Sequence, residues 1–99
     1  MERSDEAAAI MTTHGFGDAL TTIAAASVVG PQNEANPIVR ELLAHGDLVT
    51  AVVMLVAVAV GSVLWAVGAD AADAPPVAGW AVATLGAVVV ANNLVVILI

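Results

Sequence analysis

Two long stretches without a single charge set the limits on what this chain can fold into. The first, 48–69 (LVTAVVMLVAVAVGSVLWAVGA), is 22 residues long; the second, 77–99, is 23 residues long and is interrupted only by Asn92 and Asn93. As helices rising about 1.5 Å per residue, each would be about 33 Å long, enough to cross the hydrocarbon of a bilayer. Both are rich in valine, which also suits strands, but a strand runs to about ten residues and these runs are twice that. Between them DAADAPP, 70–76, halts one helix and lets the next begin, since proline cannot continue a helix and aspartate prefers water. Trp65 and Trp80 flank this loop, and as interfacial indoles they are expected at one membrane depth. The composition agrees: 61% of the 99 residues are apolar and 11% charged, far from the soluble balance of roughly half and a quarter.

The charges narrow the partners. Nine acids against two bases give a formal charge of −7, which argues against nucleic acid or anionic lipid headgroups, because both need a Lys/Arg-rich face. The acidic, lysine-free composition fits a halophilic, archaeal source. There is no cysteine, so disulfides and thiolate metal sites are excluded and the redox compartment is not indicated. The acidic start, MERSDEAAA, lacks the cationic region of a secretory signal, and the chain is read as mature. Arg3 and Arg40 fall on opposite sides of a three-span protein, so the positive-inside rule gives only a weak lean toward a cytoplasmic N-terminus.

A further span is expected at about 7–30, long enough but carrying His14, Asp18 and several threonines. An acid at mid-membrane costs about 2.5–3.5 kcal/mol on insertion scales, so neighbours must compensate. On an α-helix His14, Asp18, Thr21 and Thr22 fall at i, i+4, i+7 and i+8, one stripe that should face protein. Asn92 and Asn93 are expected to hydrogen-bond across helices toward the threonines of that span. NPIVRELLAHG reads as a short helix over about 37–45. Asn36 caps it, Pro37 occupies its first turn and Gly46 follows its end, while Asp47 is placed to cap the next span. Ile38, Val39, Leu42 and Leu43 share its apolar face, opposite Arg40, Glu41 and His45, as in a helix lying at a membrane interface. Gly79, Ala83, Ala87 and Ala91 repeat every four residues and, with Ala57 and Gly61, offer a small-residue seam for helix packing within the chain or between copies.

These residues also carry a resemblance. D-A-L-T-T followed by G-P-Q-N-E-A-N-P-I-V-R-E-L-L-A-H-G resembles the family of small multi-pass membrane proteins designated domain of unknown function 5658. Its pattern is an Asp with a following Thr, a Gly, E-x-N-P with a basic residue, then two spans. On that resemblance Asp18, Thr21, Gly30, Glu34, Asn36, Pro37 and Arg40 occupy the signature positions, from about Gly15 onward. The resemblance implies a fold and topology and no activity. A basic residue that relatives carry in the second span is missing here, and the second loop is acidic.

The residues support two accounts of Asp18. A carboxylate at membrane depth is either a proton or cation site, with His14, Thr21 and Thr22 beside it, or a structural acceptor for threonines and for a group on another span. Glu34, Asn36 and Arg40 divide in the same way, between capping and ion pairing in headgroup space and a loop that folds back to pair Arg40 or Glu34 with Asp18. His14, His45, Asp18 and Glu34 supply metal-binding atoms at spacings unlike any compact ligand motif, so no metal is assigned. No Ser-His-Asp order, phosphate-cradling loop or HExxH helix is present, and HGFGD is too short for a nucleotide fingerprint, so no catalytic residue and no cofactor is assigned. The expectation is an all-α membrane protein forming one domain over 1–99, with three transmembrane helices and an interfacial amphipathic helix between the first two. It is expected in the cell membrane as a multi-pass, non-enzymatic structural or accessory subunit, whose partners are the bilayer and copies of itself or other membrane subunits. The alternative is an oligomeric proton or cation transporter built on Asp18, and an intramembrane hydrolase or transferase stands third.

Overall fold

The computed structural model describes residues 3–99 and is all helical, with no strand among them. Helix α1, Ser4–Ile10, runs without a break through a π-wound segment, Met11–Gly17, into α2, Asp18–Val29. The residues at both joints keep right-handed helical backbone, so the three pieces form one rod, called here the N-terminal helix. Gly30 ends it at φ 92°, a conformation glycine adopts without a Cβ clash. A 3-10 turn, Pro31–Asn33, leads to α3, Pro37–Ala44. The two long helices follow, α4 over Asp47–Ala71 and α5 over Pro76–Leu98.

Each boundary has a local cause. The Asn36 side-chain oxygen accepts from the backbone N–H groups of Ile38 (3.0 Å) and Val39 (3.4 Å), and Pro37 fills the first position, where an N–H would be idle. Asp47 is the first residue of α4 and makes no cap; the Thr50 hydroxyl instead donates to the Gly46 carbonyl at 2.8 Å. At the far end of α4, Asp73 turns to φ 51° while the Ala74 and Asp73 N–H groups reach back to the Ala69 and Asp70 carbonyls. This is the double closure of a Schellman ending, with aspartate where glycine is usual. The prolines that follow start α5.

The N-terminal helix is the middle of a flat layer measuring 42 × 26 × 17 Å. α4 packs along one flank and α5 along the other, and the two long helices scarcely meet. α5 runs parallel to the N-terminal helix, so that Glu6 lies by Gly79, His14 by Gly86 and Gly17 by Val90. α4 runs antiparallel to it, with Val58 by Gly15 and Asp70 by Arg3.

One expectation needs correcting. Among the described residues two helices, α4 and α5, are long and apolar enough to cross a membrane, where three were expected. The stretch expected to be the first span is split by the π segment into shorter pieces that carry Glu6, His14 and Asp18. Of the small-residue seam, expected within the chain or between copies, Gly79 and Ala83 are buried inside this chain together with Gly86, while Ala87 and Ala91 face outward. Four-residue steps on a helix turning about 100° per residue drift around the axis, whereas alternating four and three keeps one face. Ala57 and Gly61 are likewise exposed, with open space where a Gly61 Cβ would stand. Trp80 is half exposed, and the Trp65 indole nitrogen is buried without a partner.

A Cβ at Gly86 would stand 2.7 Å from the His14 ring carbon Cδ2 and 2.8 Å from Nε2, whereas one at Gly68 meets nothing within 4 Å. Gly86→Ala is therefore expected to destabilise the protein by about 1–3 kcal/mol, and Gly68→Ala to be neutral or stabilising by up to about 1 kcal/mol. Thermal unfolding of both variants in one detergent, followed by circular dichroism, checks this.

Candidate functional site

The seam between the N-terminal helix and α5 gathers the polar side chains of both. On the first turns of α2, the Thr22 hydroxyl donates to Asp18 Oδ1 at 2.8 Å, one helical turn away. From α5, the Asn93 amide nitrogen reaches Thr21 Oγ1 at 3.0 Å, Thr22 Oγ1 at 3.1 Å and Asp18 Oδ1 at 3.4 Å. Thr21 passes its own proton to the Gly17 carbonyl at 2.7 Å, which leaves its oxygen free to accept. One amide thus ties three acceptors together, and Thr22 at its centre is buried. Around the buried Thr22 the low local dielectric strengthens these bonds.

His14 stands apart from this cluster. Its Nε2 lies 2.7 Å from the Val82 carbonyl on α5; a carbonyl only accepts, so Nε2 carries the proton and donates. In the neutral ring Nδ1 is then left as an acceptor. Of the stripe expected for His14, Asp18, Thr21 and Thr22, the last three join in this hydrogen-bonded cluster. His14 borders the same cleft as Asp18, but no hydrogen bond joins the two among the described residues.

The signature loop is organised locally. Glu34 Oε1 accepts from the Asn36 N–H at 3.2 Å, and Arg40 Nη1 donates to the Glu34 carbonyl at 3.4 Å. Arg40 is exposed and does not approach Asp18, so the loop supplies no ion pair to that carboxylate. Glu34 instead borders, with Asn33, Asn92 and Asn93, a small opening of about 130 Å³ at the end of α2. Asn93 therefore has one side on Asp18 and another on this opening. A second cleft of about 220 Å³ lies under α3, where Asp18 and His14 meet Val39, Leu42 and Met54. Among the described residues, no three of His, Asp and Glu come close enough to hold a metal ion.

At the opposite end of the seam lies a cluster that the sequence reading missed. Arg3 donates to both Glu6 oxygens at 3.4 Å, to Asp70 Oδ1 at 2.9 Å and to the Ala74 carbonyl. Glu6 is 4% exposed and lies over Gly79. The i, i+3 spacing of Arg3 and Glu6 was a legible signal; Asp70, 67 residues away, was not. The guanidinium fastens the start of the N-terminal helix to the α4–α5 hairpin, and its donors match the charge of the buried carboxylate.

A family profile, Domain of unknown function (DUF5658), matches residues 9–99. The chain belongs to that family. No curated protein and no solved structure matches it. The matched region takes in the whole Asp18 cluster and the signature loop, and leaves out Arg3 and Glu6.

Removing the Asn93 amide strands the acceptor side of the cluster, whereas Asn92 is exposed. Asn93→Ala is expected to lower stability by about 1–3 kcal/mol and Asn92→Ala by no more than about 0.5 kcal/mol. Chemical or thermal unfolding of the two variants side by side in detergent tests the difference.

Proposed function

We propose that this chain is a non-enzymatic integral membrane component, a thin helical element that assembles with copies of itself or with other membrane subunits. The observation that carries the reading is where its apolar and polar groups lie. Only 17% and 11% of the most apolar windows of α4 and α5 are buried, and Val52, Val56, Val63, Val67, Leu85 and Val88 lie bare on the outside. A protein in water turns such side chains inward; here the interior holds mostly alanines, with Ile10, Leu43 and Met54, and also takes in Glu6, Thr22, Thr50 and Ser62. A valine-covered outside with polar groups inside suits hydrocarbon, where exposed valine carries no penalty and polar groups must find each other.

On this reading the N-terminal helix is flanked by the two spans α4 and α5, which shield its seam groups. α3 lies at the interface, its Leu43 turned inward and its Arg40 and Glu41 outward. A layer one helix thick encloses no reaction chamber, which favours an accessory role over catalysis. The protein is expected to stay with membranes through alkaline carbonate and to enter solution only with detergent; release without detergent would overturn the proposal. Mass measurement in mild detergent tests the assembly part, which a purely monomeric mass removes.

A second reading, a proton or cation pathway in an oligomer, is favoured by one observation. Asp18 borders the cleft under α3, and its partner Asn93 borders the opening that holds Glu34. Asp18→Asn keeps an acceptor for Thr22, so assembly should survive. Loss of a pH- or cation-dependent flux in liposomes of that variant would select transport over scaffold.

A further inference from the structure

The seam satisfies only one side of the Asp18 carboxylate. Oδ1 accepts from Thr22 and from Asn93, whereas Oδ2 has no hydrogen-bond partner among the described residues. The side-chain atoms there that are both sealed and unpartnered are Ser62 Oγ and Trp65 Nε1, so Oδ2 keeps open surface. The cleft that Asp18 borders, about 220 Å³ under α3, is otherwise walled by His14 and by apolar side chains of α3 and α4, among them Val39, Leu42, Met54 and Ala57. Neither arginine lines it, and Arg40 turns to the Glu34 carbonyl. The chain therefore brings no cation to this carboxylate, and a charge beside apolar walls is costly until a counter-charge arrives.

His14 supplies the second polar group. Its Cδ2–Nε2 edge faces α5, where Nε2 donates to the Val82 carbonyl and a Cβ at Gly86 would stand 2.7 Å from Cδ2 and 2.8 Å from Nε2. Nδ1, across the ring, is turned away from α5 and left as an acceptor without a partner. Like Asp18 Oδ2, it is not sealed. Two free acceptors, one of them charged, thus border a cleft whose remaining walls are hydrocarbon. Such a lining matches a ligand that carries N–H donors, a positive charge and a short apolar chain. A phosphate would find no base there, which favours a free amine over an aminophospholipid headgroup.

We propose that this cleft binds a protonated alkylamine, whose ammonium donates to Asp18 Oδ2 and His14 Nδ1 while its chain lies along Val39, Leu42 and Ala57. At about 30 Å³ per water, the cleft holds the equivalent of roughly seven waters, room for a chain of a few carbons. This ligand goes beyond a pathway for protons or inorganic cations, and its binding is read on the purified chain, apart from flux and from assembly.

The two histidines give separate imidazole signals in the nitrogen-15 spectrum of the full chain in detergent, with exposed His45 as the internal control. Hexylammonium, hexanol, hexyltrimethylammonium and sodium or potassium chloride are titrated in mildly alkaline buffer, where the amine stays charged. The His14 Nδ1 signal is expected to move upfield and saturate with hexylammonium, with His45 unmoved. Hexanol lacks the charge and the quaternary ion lacks N–H donors, so each should bind at least about 10-fold more weakly. Asp18→Asn, which keeps an acceptor for Thr22, should weaken hexylammonium roughly 10-fold, whereas Glu41→Gln, an exposed acid of α3 outside the cleft, should leave it unchanged. Ala57→Leu narrows the cleft and should weaken binding by a similar factor, which repeats the test should Asp18→Asn misfold. No saturable His14 shift, equal binding of hexanol or of the quaternary ion, displacement by sodium or potassium at matching concentration, undiminished binding in both Asp18→Asn and Ala57→Leu, or equal weakening in Glu41→Gln overturns the proposal.

Discussion

The close approach of α5 to the N-terminal helix underlies the rest of the architecture. Gly79 and Gly86 remove the side chains that would strike Glu6, Thr13 and His14, and buried Ala83 lies between them. Because the two helices run parallel with this register, the same contact that seats His14 against Val82 brings Asn93 over Asp18, Thr21 and Thr22 two turns further on. Small residues set the distance and hydrogen bonds set the register. In an apolar surrounding both are needed, since water no longer drives apolar faces together.

The π-wound segment adds a second constraint. The polar groups within it and just after it have different partners, His14 a backbone carbonyl and Asp18 side chains. Gly15 and Gly17 lie within this segment, and Gly15 is buried against Met11 and Val58. The near absence of contact between α4 and α5 leaves the N-terminal helix accessible between them, where two adjoining clefts share His14, Ala57 and Val58.

Much of the fold was legible because its signals are local. Uncharged runs of more than twenty residues mark α4 and α5 within two residues of their ends. Asn36–Pro37 starts α3 and Gly46 follows it, since capping and a positive φ depend on only a few neighbouring atoms. The site was legible only in part. Asp18 stood out because a carboxylate in an apolar helix needs a partner, and Thr22 lay one turn away. The signature loop was visible as a motif, but its spacing did not say that Arg40 turns to the Glu34 carbonyl and away from Asp18. The Arg3, Glu6 and Asp70 cluster escaped notice, because ends of the chain this far apart meet only after the hairpin has formed.

What the sequence determined by itself is helicity, the length of the two apolar helices, the turns between them and the need of Asp18 for company. These follow from backbone propensities and from the cost of a bare charge, which act over a turn or two of chain. Which helix lies in the middle, which face of α5 is buried, that His14 turns to the Val82 carbonyl and which polar atoms stay without partners were decided by the tertiary structure. They depend on how three rods share one layer, and small-residue stripes in an alanine-rich chain are too many to choose among until a neighbouring helix occupies one of them.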